Sequence, residues 1–136
     1  GLAQAQNVRP HIGVLGSGTK STARDINDQD EVVGESETGT AGHAFLWREA
    51  SGMQDLGTLG GSGSAAYGIN HDGRIVGTAQ TVSGDYHAFM WEEGQMEDLN
   101  TLLPFDSGWI VTEATGVNRT GDIIGGGNRQ AFLMRR

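Results

Sequence analysis

Two histidines, His43 and His87, each open a His-Ala-Phe triplet, and imidazole is the commonest neutral metal ligand. A metal reading fails on the neighbours. The third occurrence of the triplet's frame is Gln130-Ala131-Phe132, and no carboxylate lies in the same block. The chain has no cysteine, so disulfides, thiolate metal sites and cysteine nucleophiles are excluded together. The histidines therefore read as structural groups whose rings bond neighbouring backbone, and no metal and no cofactor is assigned. Asn27-Asp28-Gln29-Asp30-Glu31 has the carboxylate density of a calcium loop but lacks the sixth-position glycine and the distal bidentate glutamate. Gly60-Gly61-Ser62-Gly63 is glycine-rich, yet it leads from one strand-like run into another, without the helix N-terminus that a phosphate cradle needs. No Ser-His-Asp or paired-carboxylate pattern can be assembled, so no catalytic residue is assigned.

The elements that hold these groups are internal repeats. Four blocks recur in fixed order. The first is Ala23-Arg24-Asp25-Ile26-Asn27, Ala66-Tyr67-Gly68-Ile69-Asn70 and Ala114-Thr115-Gly116-Val117-Asn118. The second is Glu31-Val32-Val33-Gly34, Arg74-Ile75-Val76-Gly77 and Asp122-Ile123-Ile124-Gly125. The third is His43-Ala44-Phe45-Leu46-Trp47, His87-Ala88-Phe89-Met90-Trp91 and Gln130-Ala131-Phe132-Leu133-Met134. The fourth, Met53-Gln54-Asp55-Leu56-Gly57 and Met96-Glu97-Asp98-Leu99-Asn100, has no third copy.

Each block is short, rich in β-branched or aromatic residues, and bounded by Gly, Asn, Asp or Ser, which predicts a strand. The connectors from Asn27, Asn70 and Asn118 predict tight hairpins closed by a left-handed Asp30, Gly73 or Gly121. No helix-period stretch of useful length occurs. The expected fold is all-β: three four-stranded antiparallel meanders in a single repeat domain over 1–136. Repeat 1 spans 12–57, repeat 2 spans 58–100, and repeat 3, truncated, spans 101–136. The recurring Phe45, Phe89, Phe132, Trp47 and Trp91 are expected in the core.

Bulk composition agrees and narrows function. The 136 residues include 23 glycines and only two prolines, the mark of many turns rather than collagen. Nine basic against 17 acidic residues give a net charge of −8, with no Lys/Arg cluster to replace phosphate counterions. Nucleic acid is excluded as a partner, and anionic membrane surfaces are disfavoured. No apolar run approaches the ~20 residues of a membrane-spanning helix, so no membrane insertion is expected. Ala3-Gln4-Ala5 fits the small-x-small end of a removed secretory signal.

The set Gly-Ile-Asn70, Arg-Ile-Val-Gly77, His-Ala-Phe-Met-Trp91 and Asp-Leu-Gly-Thr-Leu-Gly-Gly61 resembles the bacterial HAF repeat family of extracellular repeats, from Ile12 onward. The resemblance implies a propeller-like β array outside the cytoplasm, secreted or periplasmic, and supplies no reaction. Repeat 3 departs from it at Gln130 and Met134.

Three blades are too few for a propeller, which takes roughly 4–8. Ile12-Gly13-Val14-Leu15-Gly16 matches Leu56-Gly57-Thr58-Leu59-Gly60, so the N-terminus carries a spare fourth strand. The favoured closure is a homodimer forming a six-bladed propeller, each N-terminal strand completing its partner's third blade. The alternative is a single-chain three-sheet β-prism.

Functional interest falls where the repeat breaks. The connection into repeat 3 gains five residues within Pro104–Ile110, and the loop after Gly125 loses five relative to its sister. Both lie at one end of a meander, hence side by side. The candidate ligand or partner surface is Trp109, Phe105 and Asp106, with Tyr86 and Asp85 on the neighbouring loop. The expected function is a binding or interaction module for a carbohydrate or protein ligand. The alternatives are a propeller-type hydrolase or lyase with a central-channel site, and a purely structural repeat.

Overall fold

The computed structural model describes Arg9 and residues 11–135; the Ala3-Gln4-Ala5 stretch, expected as the end of a secretory signal, lies outside the described residues. The eleven strands among the described residues are β1 Ser21–Ile26, β2 Val32–Glu37, β3 Gly42–Arg48, β4 Gly52–Gly57, β5 Gly60–Ile69, β6 Ile75–Thr81, β7 Tyr86–Glu92, β8 Gln95–Asp98, β9 Val111–Val117, β10 Ile123–Gly127 and β11 Phe132–Met134. They form three antiparallel meander sheets, β1-β2-β3-β4, β5-β6-β7-β8 and β9-β10-β11. The fourth block of the second repeat is shorter than expected. Strand β8 stops at Asp98, whose carboxylate accepts from the Asn100 N–H at 2.8 Å and caps a single 3-10 turn, Leu99–Leu102. No α-helix occurs among the described residues.

The hairpins turn as their sequences require. Asp30, Gly73 and Gly121 have φ of 61°, 88° and 91°, and their N–H groups donate to the carbonyls of Asn27, Asn70 and Asn118. Each first strand carries one extra residue opposite the Val-Val-Gly block. The bulge leaves Arg24, Tyr67 and Thr115 unpaired in the three sheets. It also draws a first-strand carbonyl over the glycine of the second. A Cβ on Gly34, Gly77 or Gly125 would lie about 2 Å from the carbonyl oxygen of Thr22, Ala65 or Glu113. The recurring glycine is required for lack of space, since none of the three has a positive φ.

Each sheet has two apolar faces. Val33, Ala44, Leu46 and Leu56 of the first sheet meet Ala66, Ile69, Ile75, Phe89 and Trp91 of the second. One step on, Val76 and Ala88 of the second sheet, with Leu99 of the turn that follows it, meet Val111, Ala114, Ile123 and Phe132 of the third. The same repeat positions supply corresponding sides of both interfaces, so the stack has a direction. The sheets converge at their first strands, where a Cβ on Gly68 would lie 3.4 Å from the Gly116 Cα. The stack is open. Ile124 and Leu133, equivalents of Val76 and Met90, are 51% and 53% exposed on the third sheet's outer face. The described chain therefore does not close into the single-chain prism.

Residues 12–18 do not form the expected extra strand in the single chain. Leu15 is buried against Phe45 and Trp47 of the chain's own first sheet, with Ile12, Val32 and Met53 around it. Its N–H donates to the buried Ser36 hydroxyl at 2.8 Å. Its polar contacts run to strand ends instead of a paired edge: the Ser21 hydroxyl donates to the Gly13 carbonyl at 2.8 Å, and the Ser17 N–H donates to the Thr38 carbonyl at 3.2 Å.

An ion pair crosses the second and third strands of every sheet at the same register. The pairs are Glu31–Arg48 at 2.6 Å, Arg74–Glu92 at 3.1 Å and Asp122–Arg135 at 3.6 Å. Its polarity is reversed in the middle sheet.

Candidate functional site

The recurring histidines are anchored within the scaffold. His43 Nδ1 lies 3.0 Å from both carboxylate oxygens of Asp55 on β4, and its Nε2 lies 3.1 Å from the Ser62 carbonyl of the next sheet. His87 Nδ1 lies 2.7 Å from Asp98. The backbone contact was expected; the carboxylate was not. It comes from the fourth block, whose Asp recurs as faithfully as the histidine, so the pairing was readable by asking which blocks are neighbours in a meander. Each pair ties a third strand to a fourth, and His43 also ties one sheet to the next. Among the described residues no group of three or more His, Cys, Asp or Glu could hold a metal ion.

The hairpin asparagines form a second scaffold network. The Asn27 side-chain oxygen accepts from the Gln29 and Glu31 N–H groups, while its amide donates to the Asn70 carbonyl at 3.0 Å. Asn70 repeats this on Asp72 and Arg74, and its amide donates to the Asn118 carbonyl at 3.0 Å. A ladder of asparagines thus runs from sheet to sheet in one direction. Asn27 also donates to Glu31 at 2.7 Å, in the loop once compared with a calcium site. Partial burial pushes the Glu31 carboxyl up, but the hydrogen bonds from Asn27 and Arg48 and the Arg48 charge outweigh it and hold the group below its ordinary value.

The non-repeating loop lies where the two altered connections were expected to meet. Asn128, in the shortened loop after β10, accepts from the Ile110 N–H at 2.9 Å, donates through its side chain to the Gly108 carbonyl at 3.1 Å, and donates its backbone N–H to the Ile110 carbonyl at 2.9 Å. Asp106 and Gly108 hold positive φ, and Ser107 Oγ accepts from the Trp109 N–H. On this frame Phe105 is fully exposed and Trp109 is 37% exposed. Phe45, Phe89, Phe132, Trp47 and Trp91 are all buried, as their recurrence requires.

Asp85 and Tyr86 belong to the connection between β6 and β7 and to its following strand. Asp85 accepts from the Thr81 N–H and closes the turn from β6 to β7. Tyr86 is the first residue of β7 rather than a loop residue, and its hydroxyl approaches Gly63. It lies within electrostatic reach of Tyr67.

Tyr67 belongs to a group that sequence reading missed. The bulge residues Arg24 and Tyr67 sit at the converging edge of the sheets, with Glu35 and Glu113 close by. Arg24 pairs with Glu35 at 2.6 Å. Burial raises the Tyr67 phenol above its ordinary value, and Glu35 and Glu113 raise it further. The bulge alone puts these side chains together, and block alignment shows them only as a variable position.

No described helix is long and apolar enough to cross a membrane. No family model, curated protein or solved structure matches the chain.

Proposed function

We propose that this chain is a non-catalytic β-repeat interaction module acting outside the cytoplasm, three blades of a propeller-like ring, that engages a carbohydrate or protein ligand through the loop 103–110. One observation carries the reading. Phe105 stands fully in water on a loop that Asn128 braces at three points. An exposed phenyl ring leaves roughly 2 kcal/mol of burial unused, and a rigid loop loses little entropy when a partner covers it. Support also comes from the scaffold, where His43, His87, Asn27 and Asn70 are already engaged in tying strands and sheets. The resemblance to extracellular HAF repeats supports the location.

The test is binding to a polysaccharide panel, read by tryptophan emission. Trp47 and Trp91 are buried, so Trp109 reports preferentially on surface contact. Ligand should shift or quench its emission, and Phe105→Ala with Trp109→Ala, its binding read by titration calorimetry, should weaken binding at least tenfold while leaving the melting temperature unchanged. Full binding by a folded double variant would overturn the reading. The runner-up, a hydrolase or lyase, is favoured only by the polar edge of Arg24, Glu35, Tyr67 and Glu113. It requires a turnover that Glu113→Gln abolishes.

A further inference from the structure

We propose that the outer face of the third sheet docks head to tail on the first sheet of a second copy of this chain, the segment around Ile12 of each copy completing the other's third sheet. This rests on the ring reading above and specifies its contact.

Three observations converge on the same occupant. The first is the exposed face itself. Ile124 and Leu133 hold the positions that Val33 and Leu46 occupy in the first sheet, where they are 0% and 1% exposed. The internal interfaces show what covers such a face: the opposite face of a following sheet, beginning with the position of Ile69 and Ile75. On the first sheet those positions are Ile26 and Val32. Ile26 is 58% exposed, against 5% for Ile69. One chain thus displays both halves of the interface it already makes twice.

The second observation is the N-terminal segment. Leu15, Ile12 and Met53 surround Phe45 and Trp47 as Leu59, Leu56 and Met96 surround Phe89 and Trp91. Leu56 and Leu59 are the end of a fourth strand and the linker that follows it. Ile12 and Leu15 therefore lie where the end of a preceding sheet's fourth strand would lie, with no such sheet beside them. The third sheet has the reciprocal form: β9, β10 and β11 pair in order, and among the described residues β11 has no partner on its far side. The third sheet of a second copy, laid against β1–β3, would bring its open β11 edge to this segment. An uncovered edge is what proteins avoid.

The third observation is the polarity of the asparagine ladder. Asn27 and Asn70 each donate forward to the next asparagine carbonyl. Among the described residues the Asn118 amide has no acceptor, and the Asn27 carbonyl takes only its own turn's Asp30 N–H. Head-to-tail docking continues the ladder from Asn118 of one copy to Asn27 of the next. A back-to-back pairing of two third sheets would leave both donors unused.

The experiment uses light scattering on the intact chain over a range of concentrations, and cross-linking. The wild type should show twice the chain's 14.4 kDa. Ile124→Glu with Leu133→Glu should return it to one chain while far-UV circular dichroism stays native. Asn118→Ala, a change away from the apolar patch, should weaken association about tenfold. The chain lacks cysteine, so Asn118→Cys and Asn27→Cys chains can be mixed with a short bismaleimide. They should link to each other, and neither to itself. A single-chain mass at all concentrations overturns the proposal. So does a dimer indifferent to the glutamates, although a dimeric ring made by another face would then stand. Head-to-tail links with a mass that keeps rising would uphold this interface and remove the closed ring.

Discussion

The second and third sheets are written in nearly the same blocks, yet one is covered on both faces and the other on one. Val76 lies sealed between strands of two sheets; Ile124, its counterpart, stands half in water. Nothing in the two strands accounts for this. Both run Ile-Val/Ile-Gly, and both pair antiparallel with a hydrophobic third strand. The difference is whether a neighbour follows. In stacked repeats the burial of a side chain belongs to the interface and not to the unit that carries it, as in other quasi-one-dimensional architectures. A sheet with one neighbour should therefore tolerate what a sheet with two cannot.

The largest expected contrast is at the bulge glycines. Gly77→Ala drives a methyl into the Ala65 carbonyl and into the Phe89 ring, within a sheet held on both sides. It should cost about 3 kcal/mol or more and lower the thermal midpoint by about 10 °C. Gly125→Ala makes the same clash with the Glu113 carbonyl, but its sheet can shift toward open solvent, and about half that cost is expected. Equal costs would break the comparison.

The asparagine ladder gives a smaller contrast. Asn70 is buried, accepts two turn N–H groups and bridges to Asn118; Asn70→Ala should cost about 2 kcal/mol. Asn118 is exposed and serves only its own turn, so Asn118→Ala should cost the monomer about 1 kcal/mol or less by urea denaturation. The smallest effect concerns pH. The Glu31 carboxyl is depressed in the fold, so its contribution is complete above the ordinary glutamate value. That contribution disappears as the pH falls through the depressed one. Glu31→Gln should cost about 0.5–1 kcal/mol at pH 7, and the gap to wild type should close in acid. A gap that widened in acid would contradict the sign.

Most of this fold was legible because its information is local and written more than once. Turn asparagines, left-handed closers and alternating apolar runs need no knowledge of what lies across the sheet. The all-β meanders and the buried recurring aromatics follow from them. The adjacency of the long loop and the shortened loop was legible from connectivity alone, and Asn128 is its physical form. What escaped depends on contacts between blocks. Asp55 and Asp98 reach their histidines only because β3 and β4 are neighbours. Tyr86 was read as a loop residue because a strand start differs from a loop end only in a paired carbonyl, here with Gln80. The Arg24, Tyr67, Glu35 and Glu113 edge depends on an extra residue in one strand, which leaves no trace in the spacing of blocks.

The three strand-to-strand ion pairs carry a consequence for how the chain finds its structure. Tandem units of similar sequence can exchange strands during folding, and such mispaired forms are a characteristic failure of repeat proteins. If the second strand of one sheet were to pair with the third strand of an adjacent sheet, Glu31 would meet Glu92, or Arg74 would meet Arg48 or Arg135. Every exchange between neighbours sets like charges face to face, whereas every correct pairing sets opposite charges together. The reversed polarity of the middle sheet thus works as an identity label, telling otherwise interchangeable hairpins which partner is their own.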